Sequence, residues 1–436
     1  MRRYFYTGLL YLALLPAVCF AAWRGWRNPA NRINVAQRLG FCPVATHSRP
    51  LWIHAVSVGE VQAAAGLVAE IRRRSPTQPL LLTASSGTGM ARARQLFGPD
   101  PAVQLCFAPI DLPDALGRFL RRQRPCALVL TESELWPNWI RACRRRQIPV
   151  ALASGRLSER SARSKAKWVP DLMREAVSSL GFLGAQTAAD AARFVAAGAA
   201  PTAVTIVGNL KFDAPLPEDL QARSAALALR WGCEGRWTWV AGSTHAAEEE
   251  VVLAAHDRLL ARWEQRGMQG GRPLLVLAPR LPGRFDSVAD VLRRRSLRFR
   301  RHSDISGTGG SEPDIWLLDT LGDLQAAYGN AGAAFVGGSL VPVGGHNLLE
   351  PAALARPVLA GRQQRNAPDV AAQLLEAGGL VYVDDADTLV AQLDALMQHP
   401  DTARRRGEAA QTCWRQHRGA AARCAAAIAP WLAATG

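Results

Sequence analysis

At 436 residues the chain exceeds one ordinary domain and is long enough for two, each with its own core. Apolar residues make up 49% of it, which excludes a disordered or low-complexity polymer. The formal charge of +16 favours anionic partners (nucleic acid, an acidic membrane surface or phosphorylated substrates) without choosing among them.

Residues 4–23 read YFYTGLLYLALLPAVCFAAW and carry no charge. Such a run can just cross a bilayer, and aromatic residues sit at both of its ends, as membrane-interface residues do. Residues 1–23 are therefore expected to form an apolar membrane-anchor helix, either spanning the bilayer or lying in its surface. A cleaved signal peptide is the rival, but the apolar stretch is long for one. Arg24, Arg27, Arg32 and Arg38 follow the run, against Arg2 and Arg3 before it. The positive-inside rule then places the bulk of the protein in the cytoplasm. Residues 24–48 read as a basic linker.

From there, short apolar runs alternate with amphipathic stretches. The runs are 51–56, 80–83, 103–107, 127–131 and 150–153, then 237–241, 274–278, 315–318, 333–336, 358–360 and 380–383. Between the first two, Val61, Ala64, Leu67, Val68 and Ile71 recur at helical spacing. Strands alternating with helices predict an α/β fold whose parallel sheets are covered on both faces. The alternation pauses at 209–219 (NLKFDAPLPED), so two doubly wound, Rossmann-like domains are expected, at 49–210 and 221–401, joined by a hinge at 211–220. Residues 402–436 read as a C-terminal helix able to pack across both domains, and 302–314 as a surface loop. Two such domains would leave a cleft between them, with the chemistry in loops at the carboxyl ends of the strands.

Several of those loops carry reactive groups. Ser57-Val58-Gly59-Glu60 follows the first run and opens a helix, so Glu60 is either a first-turn cap or an ionised general base. Glu132 and Glu134, after the run 127–131, would face one side if the chain stayed extended; otherwise they are surface groups of a helix start. Lys211 lies in the hinge, within possible reach of the cleft. Ser243-Thr244-His245 and Pro279-Arg280 follow strands, and Arg280 is placed to meet a phosphate. Gly337-Gly338 and Gly344-Gly345 flank a turn before Asn347-Leu348-Leu349-Glu350, where backbone N–H groups and a helix N-terminus suit a phosphate. The turn is neither a P-loop nor a G-x-G-x-x-G loop. Eight scattered cysteines form no C-x-x-C pair, which argues for reduced, buried thiols. His245 and His346 form no metal-ligand pattern with nearby carboxylates, so no metal is assigned.

Taken together, WIHAVSVGE (52–60), ESELWPN (132–138), ASGRLSERS (153–161), GNLKFD (208–213) and FVGGSL with GGHNLLEPA (335–352) resemble the 3-deoxy-D-manno-octulosonic acid (Kdo) transferase family of lipopolysaccharide assembly. The resemblance runs in order along essentially the whole chain. It implies an inverting glycosyltransferase of the GT-B type, moving Kdo from CMP-Kdo to the lipid A precursor (lipid IVA) at the cytoplasmic face of the inner membrane, with no cofactor. It implies Glu60 as the general base, Glu132 and Lys211 as transition-state stabilisers, and Pro279, Arg280, Leu321, Gly322, Asp323, Asn347, Leu348, Leu349 and Glu350 as CMP-binding positions. Family members commonly carry Met-Gly-Glu where this chain has Leu321-Gly322-Asp323, and Glu-Gly-Glu where it has Ala246-Ala247-Glu248. The alternatives are a GT-B enzyme using a UDP-sugar and another envelope acceptor, and a membrane-tethered binder of RNA or acidic lipid. Spread arginines and the lack of aromatic RNA-binding signatures argue against a nucleic-acid partner.

Overall fold

The computed structural model describes residues 2–27, 34–159, 161–163, 170–268, 270–304 and 312–433. Part of the expected linker (28–33) and most of the expected loop at 302–314 lie outside the described residues. The chain divides into two compact units: unit 1 is Met1–Pro215 with His417–Gly436, and unit 2 is Leu216–Gln416.

In unit 1, helices α1 (Arg2–Arg27) and α2 (Val35–Arg38) precede a seven-stranded parallel sheet. Its strands are β1 (Leu51–Ala55), β2 (Leu80–Ala84), β3 (Val103–Phe107), β4 (Ala127–Thr131), β5 (Val150–Gly155), β6 (Phe182–Ala185) and β7 (Val204–Ile206). Their order is β3-β2-β1-β4-β5-β6-β7. Connections such as α3 (Val58–Arg74), α4 (Gly87–Phe97), α5 (Pro113–Gln123) and α6 (Pro137–Arg145) cover both faces. All five residues of β1 are buried, which is why the run is apolar throughout and not alternating. Alternation shows instead in which layer each residue enters. Leu51, Ile53 and Ala55 join α3, α4 and the helix Ala420–Ala433, while Trp52 faces the opposite layer with Leu128, Phe119 and Trp139. Trp52 lies 4.6 Å, centroid to centroid, from both Phe119 and Trp139. Each fully buried large apolar side chain contributes roughly 1.5–3 kcal/mol.

α1 docks on this unit along one side. Tyr6 donates to Asp111 Oδ2 at 2.9 Å, Tyr11 to Asp114 Oδ1 at 2.7 Å, and Thr7 Oγ1 accepts from Asn138 at 3.2 Å. Phe5, Leu12, Leu15 and Trp26 stay exposed. The expected anchor therefore falls in α1, but among the described residues no helix is long and apolar enough to cross a membrane.

Unit 2 repeats the architecture with β8 (Arg236–Thr244), β9 (Gly271–Pro279), β10 (Phe299–Arg301), β11 (Ile315–Leu317), β12 (Ala333–Val336), β13 (Val358–Ala360) and β14 (Leu380–Tyr382). The order is β10-β11-β9-β8-β12-β13-β14, again all parallel. The C-terminal stretch is two helices, not one. Pro400–Gln416 belongs to unit 2 and Ala420–Ala433 to unit 1, with a break at Gly419, whose φ of 101° a side chain would strain. All eight cysteines are unpaired, and only Cys19 is exposed.

Candidate functional site

In each sheet the strand order reverses beside the first strand, between β1 and β4 and between β8 and β12. The loops leaving two such strands diverge, so their carboxyl ends frame a crevice.

In unit 1 that crevice holds Glu60, Glu132 and Lys211. Glu60 sits in the first turn of α3. Its Oε2 accepts from Val56 N at 3.0 Å and Thr131 Oγ1 at 3.1 Å, and its Oε1 from Ser57 Oγ at 3.2 Å. Reaching back to Val56 N is a capping contact, so the capping and chemical roles share one residue. Burial raises the Glu60 pKa, and the charge of Glu132 raises it further; the hydrogen bonds oppose both.

Glu132 does not continue β4. Its φ is 54°, a left-handed conformation costing a non-glycine residue on the order of 1–3 kcal/mol, and such strain gathers at functional sites. The turn is held by Glu132 N donating to Ala153 O at 3.1 Å and Arg156 N to Glu132 O at 3.2 Å. The extended geometry that would set Glu132 and Glu134 on one side is therefore absent. Glu132 alone makes the contact that matters: Lys211 Nζ lies 2.7 Å from its Oε1.

Lys211 is aimed by a rigid turn, the 3-10 segment Leu210–Asp213. Asn209 caps it by accepting from Lys211 N at 3.0 Å, and Ser154 Oγ accepts from Leu210 N at 3.1 Å. Phe212 is fully buried. Asp213 accepts from Gly419 N at 2.6 Å and Ala421 N at 2.8 Å, capping the helix Ala420–Ala433. Beneath the turn, a Cβ on Gly66 would sit 2.4 Å from Asp213 O, so α3 approaches this closely only with glycine there. Asp111 supports the other side: it accepts from Asn138 N at 3.3 Å and Trp139 N at 3.0 Å at the start of α6, while also holding Tyr6 of α1. Burial pushes the Asp111 carboxyl up to about 7.

In unit 2 the corresponding loops carry little acid that is free to react. Glu248, fully buried, accepts from four backbone N–H groups: His245 at 3.0 Å, Gly338 at 2.7 Å, and Ser339 and Leu340 at 2.9 Å each. It thereby fixes the glycine turn after β12 to the helix Ala246–Gln265. Gly344 and Gly345 donate to Gly338 O at 3.1 and 2.7 Å, and His346 to Gly337 O at 3.2 Å. The N–H groups expected to cradle a phosphate are thus mostly committed to Glu248, to Gly242 O and to the loop itself. The helix expected to point at it, Leu349–Ala353, has only five residues, so it supplies little dipole. Among the described residues the N–H groups of Asn347 and Leu348 have no partner.

The remaining predicted positions divide by what they expose. The side chains of Leu348 and Leu349 are buried, so a ligand would meet their backbone only. Asn347 bridges its own loop, donating to Glu350 Oε1 at 3.2 Å and accepting from Leu349 N at 3.1 Å. Arg280 follows β9, its N–H bonded to Thr244 O at 3.0 Å; this ties Pro279-Arg280 to the end of β8. Leu321 is exposed, and Gly322 has a φ of 102°. Asp323 turns inward to Arg223 and Thr320, each at 2.7 Å. Burial alone would raise its pKa, but those partners outweigh it and hold the carboxyl below its usual value. His245 and His346, given no role from the sequence, meet in this crevice with Nε2 atoms 2.9 Å apart.

Glu248, Asp213 and Asp111 escaped sequence reasoning as site-building groups. Only Glu248 left a signal, standing three residues after the N-cap His245, the capping-box spacing.

The family described as 3-Deoxy-D-manno-octulosonic-acid transferase (kdotransferase) matches residues 34–214. The chain is 34% identical over 435 residues to the 3-deoxy-D-manno-octulosonic acid transferase of Haemophilus influenzae, covering 99% of each. It is 36% identical over 440 residues to the enzyme of the same name from Bordetella pertussis, covering 99% of this chain and 100% of that one. Among solved structures, UDP-GlcNAc 2-epimerase from Neisseria meningitidis aligns with a TM-score of 0.58 at 12% identity, over 88% of this chain and 100% of that one. The S. aureus MnaA structure with UDP gives 0.56 at 14% identity, over 89% and 97%. At such identities the last two likenesses concern the fold alone.

Proposed function

Because this chain belongs to the 3-deoxy-D-manno-octulosonic acid transferase family, we propose that it moves Kdo from CMP-Kdo to a hydroxyl of the lipid A precursor, with Glu60 as the base. The observation that carries this reading is the placement of Glu60, bonded to Thr131, within reach of the charge of the Glu132–Lys211 pair at the topological switch point of unit 1. Glu60 takes the acceptor's hydroxyl proton. The acceptor oxygen bonds to the anomeric carbon from the face opposite the phosphate, the anomeric carbon–oxygen bond to phosphate breaks, and its electron pair leaves on the phosphate oxygen, which inverts the anomeric centre. A base whose pKa is raised by burial holds a proton better at working pH than an ordinary carboxylate. Lys211 holds the Glu132 side chain in place, and Glu132 offers its oxygens to the positive charge that develops on the sugar.

Unit 2 is the donor's place in this reading. Arg280 brings a permanent charge for phosphate. Glu350, an acceptor when ionised, suits ribose hydroxyls. The backbone of Asn347 and Leu348 adds N–H donors. The exposed Leu321 and Gly322 offer a surface for the nucleoside.

α1 supplies the membrane contact. Its docked side is fixed by Tyr6, Thr7 and Tyr11, and the exposed Phe5, Leu12, Leu15 and Trp26 are suited to lie in the cytoplasmic surface of the inner membrane. Deleting residues 1–23 should make membrane association weak and salt-sensitive; retention in the membrane fraction at high salt would remove α1 as the principal anchor. For the reaction itself, the test is product analysis with CMP-Kdo and a tetra-acylated lipid A precursor, with UDP-sugars as competing donors. Kdo transfer from CMP-Kdo alone is expected, and transfer from a UDP-sugar would overturn the assignment.

A further inference from the structure

Two histidines that the reaction above does not use meet in unit 2. His245 follows β8 and begins the helix Ala246–Gln265; His346 lies in the loop after β12. Their Nε2 atoms are 2.9 Å apart, and the rings are inclined by only 9° with centroids 5.2 Å apart. These values describe two rings joined edge to edge through their Nε2 atoms in a common plane, not two rings stacked face to face. One Nε2 therefore carries a proton and the other accepts it.

That bond fixes what the outer edges present. In the neutral pair, the ring that donates through Nε2 keeps a bare lone pair on Nδ1, and the other ring keeps an Nδ1–H. One added proton gives both outer edges an N–H and the pair a positive charge. Neither Nδ1 makes a hydrogen bond to another described residue, and both residues are half-buried. The charged groups on neighbouring elements are Arg280 after β9, Glu248 on the helix Ala246–Gln265, and Glu350 on Leu349–Ala353. Glu248 is already committed to backbone N–H groups, and Glu350 accepts from Asn347. Burial, then Arg280, then His245 push His346 down to about 4, so without an anion His346 is neutral near pH 7.

We propose that the His245–His346 pair is the subsite for the phosphate of the donor nucleotide, and that it takes up one proton from solvent when that phosphate binds. This rests on the reading that unit 2 holds the donor. The donor's phosphate, joined to both cytidine and the sugar, offers only acceptor oxygens and carries a charge of about −1, which becomes about −2 on the CMP that departs. It repels the bare Nδ1 lone pair and favours the form with N–H on both outer edges. During transfer the charge on the departing phosphate grows, and a cation already beside it stabilises that growth without reorganisation.

Calorimetric titration of CMP and of cytidine into the full chain at pH 7, in buffers of different ionisation enthalpy, tests the proposal. Free CMP is mostly a dianion at that pH, its second pKa being about 6, so binding the dianion would release the residual proton from CMP. Net proton uptake must then come from the protein. The wild type is expected to take up protons with CMP but not with cytidine. His346→Asn should abolish the uptake and weaken CMP roughly ten- to hundredfold, the loss of a charge-assisted contact, with cytidine affinity unchanged. His245→Gln, which leaves the glycine turn after β12 untouched, should give the same pattern and guards against a folding defect in the first variant. CMP binding that Glu350→Ala weakens, but without proton uptake in the wild type, would overturn this proposal and leave the donor reading standing. CMP binding indifferent to both Glu350→Ala and Arg280→Ala would overturn the donor reading, and this proposal with it.

Discussion

In unit 1 the loops leaving the two switch-point strands carry Glu60 and Glu132, steadied by one lysine; in unit 2 the matching loops carry His245, glycines and His346, with Arg280 beside them. Two sheets of like topology thus hold opposite chemistry at the same place. The difference lies in where the carboxylates are spent. In unit 1 they stay in the crevice, and burial with mutual repulsion raises the pKa of Glu60. In unit 2 the carboxylate at the equivalent helix start, Glu248, is withdrawn beneath the loop to bind four backbone N–H groups. A crevice with carboxylates at its switch-point strands suits a hydroxyl that must lose a proton, whereas one whose helix-start carboxylate is withdrawn suits a phosphate.

The largest effect should come from removing the proposed base. Glu60→Gln keeps the shape and most of the capping contacts, so kcat should fall about 10²–10⁴-fold while CMP affinity holds. Near-normal turnover in a folded variant would end the catalytic role of Glu60. Next is Glu248→Ala, which leaves four N–H groups without their acceptor. Unpaired buried groups cost about 1–3 kcal/mol each, part of which water entering the space recovers, so denaturant unfolding should show a loss of about 3–5 kcal/mol together with weaker CMP binding. A stability within about 0.5 kcal/mol of wild type would mean that Glu248 does not hold the glycine turn.

A smaller effect sharpens the electrostatic side of the comparison. As the proposed base, Glu60 must be ionised to act, so activity is expected to rise with pH through its raised pKa. The charge of Glu132 is one cause of that raising. Glu132→Gln should therefore move the acid limb of kcat/KM to lower pH, besides any drop in the plateau. A limb that stays in place would show that Glu132 does not act on Glu60 through charge.

Much of this was legible in the sequence, for identifiable reasons. Runs such as 51–56 and 274–278 are continuous because both faces of a parallel sheet are buried, and they mark β1 and the middle of β9. β6, β7 and β10 passed unnoticed: β6 has only four residues, β7 and β10 have three each at a sheet edge, and Phe299-Arg300-Arg301 hardly reads as apolar. Glu60 and Glu132 were visible because a strand-to-helix junction reveals itself locally. The groups that aim them were not. Asp213 caps a helix 206 residues further on at Gly419, and Glu248 reaches 90 residues to Gly338. No local pattern encodes such pairings. The glycine turn misled in the opposite direction, since its N–H groups were read as available when the fold consumes most of them.

The central claim, that unit 2 holds the nucleotide and unit 1 the base, is tested most directly by titrating CMP calorimetrically into Glu350→Ala and Glu60→Ala. Glu350→Ala should bind CMP about ten- to hundredfold more weakly, the worth of about 1.5–3 kcal/mol for a hydrogen bond to a charged group, and Glu60→Ala should bind it as the wild type does. Equal affinities in the two variants, or a loss confined to Glu60→Ala, would contradict the account.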